Sequence, residues 1–424
     1  MATSIKQRAL ASVGSAARYV PIDPVQIFSF VASPSVRAEP WALYQRLHRR
    51  GPIRRGPYGI WMVASHAEVT RVLRELPTSV DEDQAVGLPQ SPAGAVSDFS
   101  RLIERTVLFT DPPDHTRLRR LVSRSFTPRT VEAMREPITE LAERAVAEVR
   151  ERGSADLVRD LALPFPVAVI AELLGLPMAD RDRFIGWARA IAPRLDISIF
   201  RDDAVNAAGN RGAREMEAYF DDLLDHPERL DPGGLLPALV AAEDEDDRLS
   251  RDEVIAMCAI LLLAGFETTT NLIANSIHSL LARPDALAAI RDGDVDLAVA
   301  VDELLRHDGP VQFAQRVVLE DVELGGHQIP SHSLIALLVG AANRDPLVFD
   351  RPDDLVLDRS PNPHLSFSSG IHHCLGAALA RMEAAVAIPA ILRGLPDLEL
   401  AGRPRWRDTF VLRGFTELPV RWRS

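Results

Sequence analysis

The sequence predicts a mainly α-helical domain with small β-sheets at its periphery. Helical-period apolar patterning covers most of the chain, and the candidate strands are short and few. No Gly/Ser-rich linker, repeat or low-complexity block divides the 424 residues. Length alone would allow two or three domains. The unbroken patterning argues for one, expected over 21–424 behind a loose tail at 1–20, where Lys6, Arg8 and Arg18 are scattered among small residues.

Taken in order, Trp41 to His48 has helical spacing after Pro40, a favoured first-turn residue. Ile53–Arg55 and Ile60–Val63 read as strands of a hairpin turning through Gly56-Pro57-Tyr58-Gly59. From Asp81 to Ala95 the chain is acidic and punctuated by Gly and Pro, a long loop of the kind that usually serves function. Helices are expected at Asp114–Ser125, Val131–Arg152, Phe165–Leu174, Ala179–Ala192 and Asn206–Leu224. Ser250 with Glu253 has capping-box spacing and starts a helix that runs past Ala282. Leu297–Arg306 and Cys374–Arg393 are further helices. Short strands are expected at Gln315–Val318, Val322–Leu324, Leu334–Leu338 and between Phe410 and Trp422.

Composition narrows the setting. Two cysteines in a chain this long argue against a disulfide framework and for a reducing, cytoplasmic compartment. The longest apolar run, Val254 to Phe266, is short for a membrane span and lies between Glu253 and Glu267. A formal net charge of -12 speaks against nucleic acid as a partner.

The chemistry concentrates around Cys374, in Phe367-Ser-Ser-Gly370-Ile-His372-His-Cys374-Leu-Gly376 before an Ala-rich helical run. A helix N-terminus favours a charged sulfur and is expected to lower its pKa. Gly370 and Gly376 let the backbone approach something flat and bulky. One thiolate suits haem iron, which takes a single proximal ligand. Zinc would need more ligands than Cys258 and scattered histidines supply. A cysteine nucleophile would need a base and an oxyanion hole that the sequence does not show, and an inert buried thiol is the remaining reading.

A second constellation interrupts the greasy helix: Ala264-Gly265-Phe266-Glu267-Thr268-Thr269-Thr270. Gly265 is expected to leave a groove beside the backbone. Successive threonines are unfavourable in a helix, and their hydroxyls can bond the carbonyl one turn back and loosen it. A buried acid such as Glu267 is costly unless used or paired. Carboxylate followed by hydroxyl makes a short proton relay.

Phe367, Gly370, His372, Cys374 and Gly376 resemble the haem-binding signature of the cytochrome P450 family, of the soluble bacterial type. Ser368 stands where many members have glycine. Ala264-Gly265-x-Glu267-Thr268 is similar to the family's oxygen-activation motif. His115 and Arg119 match its H-x-x-x-R propionate pair, with Arg316 and His372 as further propionate contacts. Glu303-Leu304-Leu305-Arg306 matches the structural ExxR motif. Asp354 occupies the place where many members carry an arginine completing that network, which leaves Arg351 and Arg359 as candidates. The resemblance extends from the hairpin near Tyr58 to Arg413-Gly414-Phe415, with the motifs in the family's order.

The resemblance implies the cytochrome P450 fold and haem b (iron protoporphyrin IX) held by the Cys374 thiolate. The implied cofactor contacts are His115, Arg119, Ala264, Gly265, Arg316, Phe367, Gly370, His372 and Gly376, with Glu267 and Thr268 as catalytic residues. The implied activity is a monooxygenase that hydroxylates or epoxidises a hydrophobic small molecule, whether secondary metabolite, terpenoid, steroid or fatty-acid-like. Coupling, desaturation, peroxide-driven oxidation and a non-catalytic haem-binding role are the alternatives. No GxGxxG unit is present, so NAD(P)H-derived electrons are expected through an external ferredoxin and ferredoxin reductase. Arg117, Arg120 and Arg124 form a candidate docking stripe. The pocket is expected between Gly87–Phe99, Ile260, Leu261 and Ala264, Val311–Ala314, and Phe410–Val411. A monomer with no membrane or nucleic-acid partner is expected.

Overall fold

The computed structural model describes residues 33–56, 59–86, 97–103, 105–196, 201–241, 243–244 and 247–423. The expected tail at 1–20, and residues 87–95 of the expected long loop, lie outside these. The helices that frame the molecule are α1 (Trp41–Arg50), α2 (His66–Arg74), α3 (Asp98–Ile103), α4 (Asp114–Ser125), α5 (Arg135–Arg150) and α6 (Pro164–Leu174). They continue with α7 (Arg181–Ile191), α8 (Asp203–Asp225), α9 (Arg251–Leu281), α10 (Pro284–Asp292), α11 (Leu297–Asp308) and α12 (Ala377–Gly394).

Helix α9 is the axis of the fold. The capping box that starts it is present in full: Glu253 N–H donates to the Ser250 hydroxyl at 3.3 Å, and Ser250 N–H donates to the Glu253 carboxylate at 2.8 Å. Its sequence is apolar on nearly every side because α3, α6, α7, α8, α10, α11 and α12 all pack on it. By length and composition it could cross a membrane, but 72% of its apolar stretch is buried inside this protein. One continuous core runs from Phe99 to Trp422 and includes Phe184, Phe220, Phe266 and Leu392.

Two departures from the expected helices have local causes. The expected Val131–Arg152 helix is two, Pro128–Ala133 and Arg135–Arg150, the first capped by Thr127, whose hydroxyl accepts from the Thr130 N–H at 3.1 Å. Helix α12 starts at Ala377 rather than Cys374, because the chain first makes a tight helical turn over Gly370–His372.

The expected hairpin forms as β1 (Ile53–Arg55) against β2 (Trp61–Val63). It joins a five-stranded sheet with β3 (Thr78–Ser79), β4 (Ala314–Val318) and β5 (Leu334–Leu337), in the order β1-β2-β5-β4-β3. β5 runs parallel to β2 with Ile335 beside Trp61, and antiparallel to β4 with Ile335 beside Arg316. The remaining strands form two- and three-stranded patches, among them the C-terminal pair Arg405–Trp406 and Phe415–Glu417.

Candidate haem-thiolate site

The cysteine loop is held from three sides. Cys374 N–H donates to the Phe367 carbonyl at 2.9 Å, closing the turn on itself. The Ser366 hydroxyl donates to the Leu305 carbonyl at 2.8 Å and accepts from Asn343 Nδ2 at 2.9 Å, tying the loop to α11. Gly370 has φ +70, and a Cβ there would stand 2.2 Å from the Leu73 carbonyl oxygen. Gly370 therefore allows close packing against α2. Ser368 also adopts a left-handed φ of 62, so a serine carries the geometry that glycine adopts without strain. Phe367 is buried beneath the Arg381 guanidinium, which lies 4.5 Å from its ring centroid.

Cys374 itself is exposed, whereas Cys258 is fully buried. A Cβ added to Gly376 would meet nothing within 4 Å, so the loop opens onto free space at these two residues. On α9, residues 254–277 are buried except Leu261, Ala264, Gly265 and Thr268. That i, i+3, i+4, i+7 set is one helix face, with Ala264 exposed in the middle of a core helix. Gly265 has a different role from the expected groove: its missing side chain is what lets Ile170 of α6 approach, since a Cβ would lie 2.8 Å from that residue's Cδ1.

The turn does not lower the thiol's pKa as expected. The protein atoms packed around the loop shield the thiol from bulk water even though the residue itself is open on one side, and this desolvation raises Cys374 above the ordinary value, against opposing pulls from the Gly376 N–H and the Arg119 and Arg381 charges. A bound metal cation is what ionises a thiol in such surroundings. Among the described residues no cluster of three or more metal-ligating side chains occurs.

His115, Arg119, Arg316 and His372 lie near one another. The His115 and His372 rings are 4.3 Å apart. Burial lowers His115, reinforced by Arg119 and Arg316; burial and then Arg316 push His372 down to about 3. Burial also pushes Arg316 down to about 10 and lowers Arg119. His115 is 2% exposed, yet neither ring nitrogen has a hydrogen-bond partner among the described residues. Asp111, the acid near Arg316, is committed to the Ser79 hydroxyl and the Val80 N–H. Two half-buried arginines around the orphaned His115 ring, beside the exposed Cys374 and an open helix face, fit a flat cofactor bearing two carboxylates.

The relay residues are placed unequally. Thr268 Oγ1 donates to the Ala264 carbonyl at 2.8 Å, and Thr269 Oγ1 to the Gly265 carbonyl at 3.1 Å, the back-bonding expected from the sequence. Glu267 does not meet Thr268; its carboxylate is bound by Arg407, a residue the sequence reading missed. Gly414, whose carbonyl accepts from Arg407 N–H at 2.9 Å, lies against Asn271 one turn on. Asn275 Nδ2 reaches the Asp308 and Arg413 carbonyls at 3.1 and 3.2 Å. The polar stripe Glu267, Asn271, Asn275 on a greasy helix was a signal that something polar docks there.

The ExxR motif is fully buried: Arg306 Nε meets Glu303 Oε2 at 2.7 Å. Arg359 completes the network with Nε 2.9 Å from the same oxygen. Arg351 is exposed and faces Asp350, and Asp354 contributes only its carbonyl, to Arg306 at 2.8 Å. In the proposed docking stripe Arg117 is bound to Glu253, while Arg120 is exposed. The Arg124 side chain lies outside the described residues.

Fold and site together define a haem-thiolate protein, and comparison with known proteins gives its family. The cytochrome P450 family model matches residues 297–395, which include ExxR and the cysteine loop. Cytochrome P450 monooxygenase PikC of Streptomyces venezuelae is 39% identical over 91% of this chain and 92% of its own. P450BioI, solved in complex with hexadec-9Z-enoic acid ligated acyl carrier protein, superposes with a TM-score of 0.85 at 35% identity. That match covers 92% of this chain and 100% of the other. Myxobacterial CYP267B1, solved in complex with myristic acid, gives 0.83 at 36% identity over 94% of this chain and 100% of its own. This chain belongs to the cytochrome P450 family; it is an oxidoreductase of the monooxygenase kind, whose cofactor is haem b on a cysteine thiolate.

Proposed function

We propose that Cys374 is the iron ligand and that the enzyme oxygenates an apolar small molecule bound against Leu261 and Ala264. The observation that carries this is the exposed sulfur of Cys374 in a loop otherwise locked to α11, with an exposed Ala264 in the core helix α9. When bound, the haem supplies the redox chemistry that activates dioxygen. The residues around it bind, orient and protonate. His115, Arg119, Arg316 and His372 neutralise the propionates; Thr268 Oγ1 holds a proton on the open helix face, with Glu267 as the acid behind it. One oxygen atom enters the substrate and the other leaves as water, with two electrons and two protons consumed.

The electrons come from a ferredoxin reduced by its reductase. Supporting this are the exposed Arg120 on α4 and the lack of a nicotinamide- or flavin-binding unit in the sequence. A cytoplasmic site of action fits two free cysteines. Fatty-acyl ligands in two structural relatives support an apolar substrate of that class.

A carbon monoxide difference spectrum of the reduced protein tests the ligand. The expected result is a thiolate-type band that Cys374→Ser removes. A variant that keeps both that band and oxygenation would overturn the assignment.

A further inference from the structure

One buried side-chain amide on α9 makes no hydrogen bond at either end. Asn271 is 0% exposed, and neither its Nδ2 nor its Oδ1 has a partner among the described residues. Asn275, one turn further on, differs: its Nδ2 is committed to the Asp308 and Arg413 carbonyls. Gly414 closes off Asn271 on one side without bonding it, since a Cβ there would stand 2.0 Å from Oδ1. Fully buried polar groups are nearly always satisfied, so an amide idle at both ends calls for a partner in some other arrangement of its neighbours.

Position in the helix supplies that partner. Asn271 follows Glu267 by four residues and Thr268 by three, so it neighbours both. Helical side chains lean toward the N-terminus, which carries the Asn271 amide back toward the turn holding the acid and the alcohol. Those two are turned to other groups: Glu267 to Arg407, and Thr268 Oγ1 to the Ala264 carbonyl. The Arg407 side chain is 19% exposed against 5% for Glu267, so water reaches the acid from the arginine's side.

We propose that Asn271 is a positioning residue that gives the Glu267 carboxyl a second seat, away from Arg407 and beside Thr268. The inference rests on the monooxygenase reading, with Glu267 and Thr268 as acid and alcohol, and names what brings the two together. In the first seat Glu267 is paired with Arg407 and takes up a proton from water. Neutralised, it loses most of its attraction for the guanidinium. The carboxyl then rotates to Asn271, whose Nδ2–H donates to its carbonyl oxygen, and the carboxyl O–H donates to Thr268 Oγ1. The proton passes to that hydroxyl as the hydroxyl gives up its own toward the open helix face. Charged again, the carboxylate returns to Arg407. One proton enters and one leaves in each cycle, and the amide itself carries neither.

The first test follows proton delivery and needs no organic substrate. Holoenzyme supplied with electrons by a plant-type ferredoxin and its reductase reduces dioxygen in one of two ways. Two electrons and two protons give hydrogen peroxide; four of each give water, which efficient proton delivery favours. Asn271→Leu keeps the side-chain volume and removes the amide. It should raise the peroxide share at least about threefold. In urea melts the same variant should be no less stable than the unmutated protein, because the amide it replaces bonds nothing. A packing role would reverse both results. Should Asn271→Leu fail to fold, Asn271→Ala takes its place.

The second test needs no turnover. Arg407→Met removes the first seat, and the Asn271 amide then offsets part of what the guanidinium supplied. In that background Glu267→Ala and Asn271→Ala should couple at least about fivefold in the unfolding equilibrium constant, against less than about twofold with Arg407 in place. An unchanged peroxide share, or no coupling once Arg407 is gone, overturns the second seat. Glu267→Gln separates that failure from a failure of the underlying reading. If Glu267→Gln leaves the peroxide share unchanged too, the assignment of Glu267 as the acid falls; if it raises the share and Asn271→Leu does not, only the role of Asn271 falls.

Discussion

Glu267 and Arg407 form an ion pair that joins the core helix α9 to the C-terminal hairpin. The acid is 4% exposed and sits beside Thr268, but it is the arginine that holds it. Arg407 reaches α9 because Gly414 lies flat against Asn271 and Arg413 is anchored by Asp308 at 2.6 Å. A carboxylate held this way is fixed in place one residue from the hydroxyl it is expected to supply.

Arg407→Met should therefore leave a buried carboxylate alone and lower unfolding stability by about 3–5 kcal/mol. Arg407→Lys should cost less, since the charge remains. The pairing is isolated by a double-mutant cycle with Glu267→Gln in urea melts. If the double variant is no more stable than Arg407→Met, the ion pair is not what the arginine provides.

Within the cysteine loop, two neighbouring positions should respond with opposite signs. Ser368 at φ 62 carries a left-handed penalty that glycine lacks, offset in part by glycine's greater chain entropy. Ser368→Gly should stabilise by about 0.5–1 kcal/mol. Gly370→Ala would drive a Cβ into the Leu73 carbonyl and should cost more than about 2 kcal/mol, with loosened haem binding. Chemical denaturation of the two variants, followed by the Soret band and by far-UV dichroism, separates the effects.

The sequence carried the motifs because each is local: a capping box, a threonine back-bond, an ExxR pair and a glycine turn are fixed by residues within a few positions. Tertiary partners were not legible. Glu267 announced that it needed a partner, but Arg407 lies 140 residues away and reaches it only once the hairpin docks. Arg359 and Arg351 were equal candidates on spacing. The structure separates them because Arg359 turns in beneath Phe349 to Glu303, whereas Arg351, at φ 46, turns out to solvent. Gly265 and Gly370 also make room for Ile170 and Leu73, neighbours that no sequence pattern marks.

Asp196 should make stability depend on pH in the less common direction for an acid. Burial raises it to about 6, above its unfolded value of 3.8, despite two backbone N–H donors. Between those values the folded protein keeps a proton that the unfolded chain has released, so this stabilising contribution is lost as pH rises through about 6. Asp196→Asn keeps an acceptor for Phe410 and Val411 without a charge. It should match the unmutated protein near pH 4 and exceed it at pH 8 by up to about 3 kcal/mol. Equal stability at both pH values would remove Asp196 as the titrating group.

His115 offers a test that distinguishes a cofactor contact from a packing residue. Its ring is buried against His372, and both nitrogens are orphaned. In the haem-free chain those nitrogens contribute nothing and retain their desolvation cost, so His115→Phe should leave apoprotein stability unchanged within about 1 kcal/mol or raise it. With haem bound, the same substitution removes a donor to a propionate and should speed haem transfer to an acceptor protein by about tenfold. A packing role would reverse the pattern, lowering apoprotein stability and leaving haem transfer unchanged. Arg119→Gln provides the control for charge: it should speed haem transfer in a salt-dependent way, which the loss of the neutral His115 ring should not.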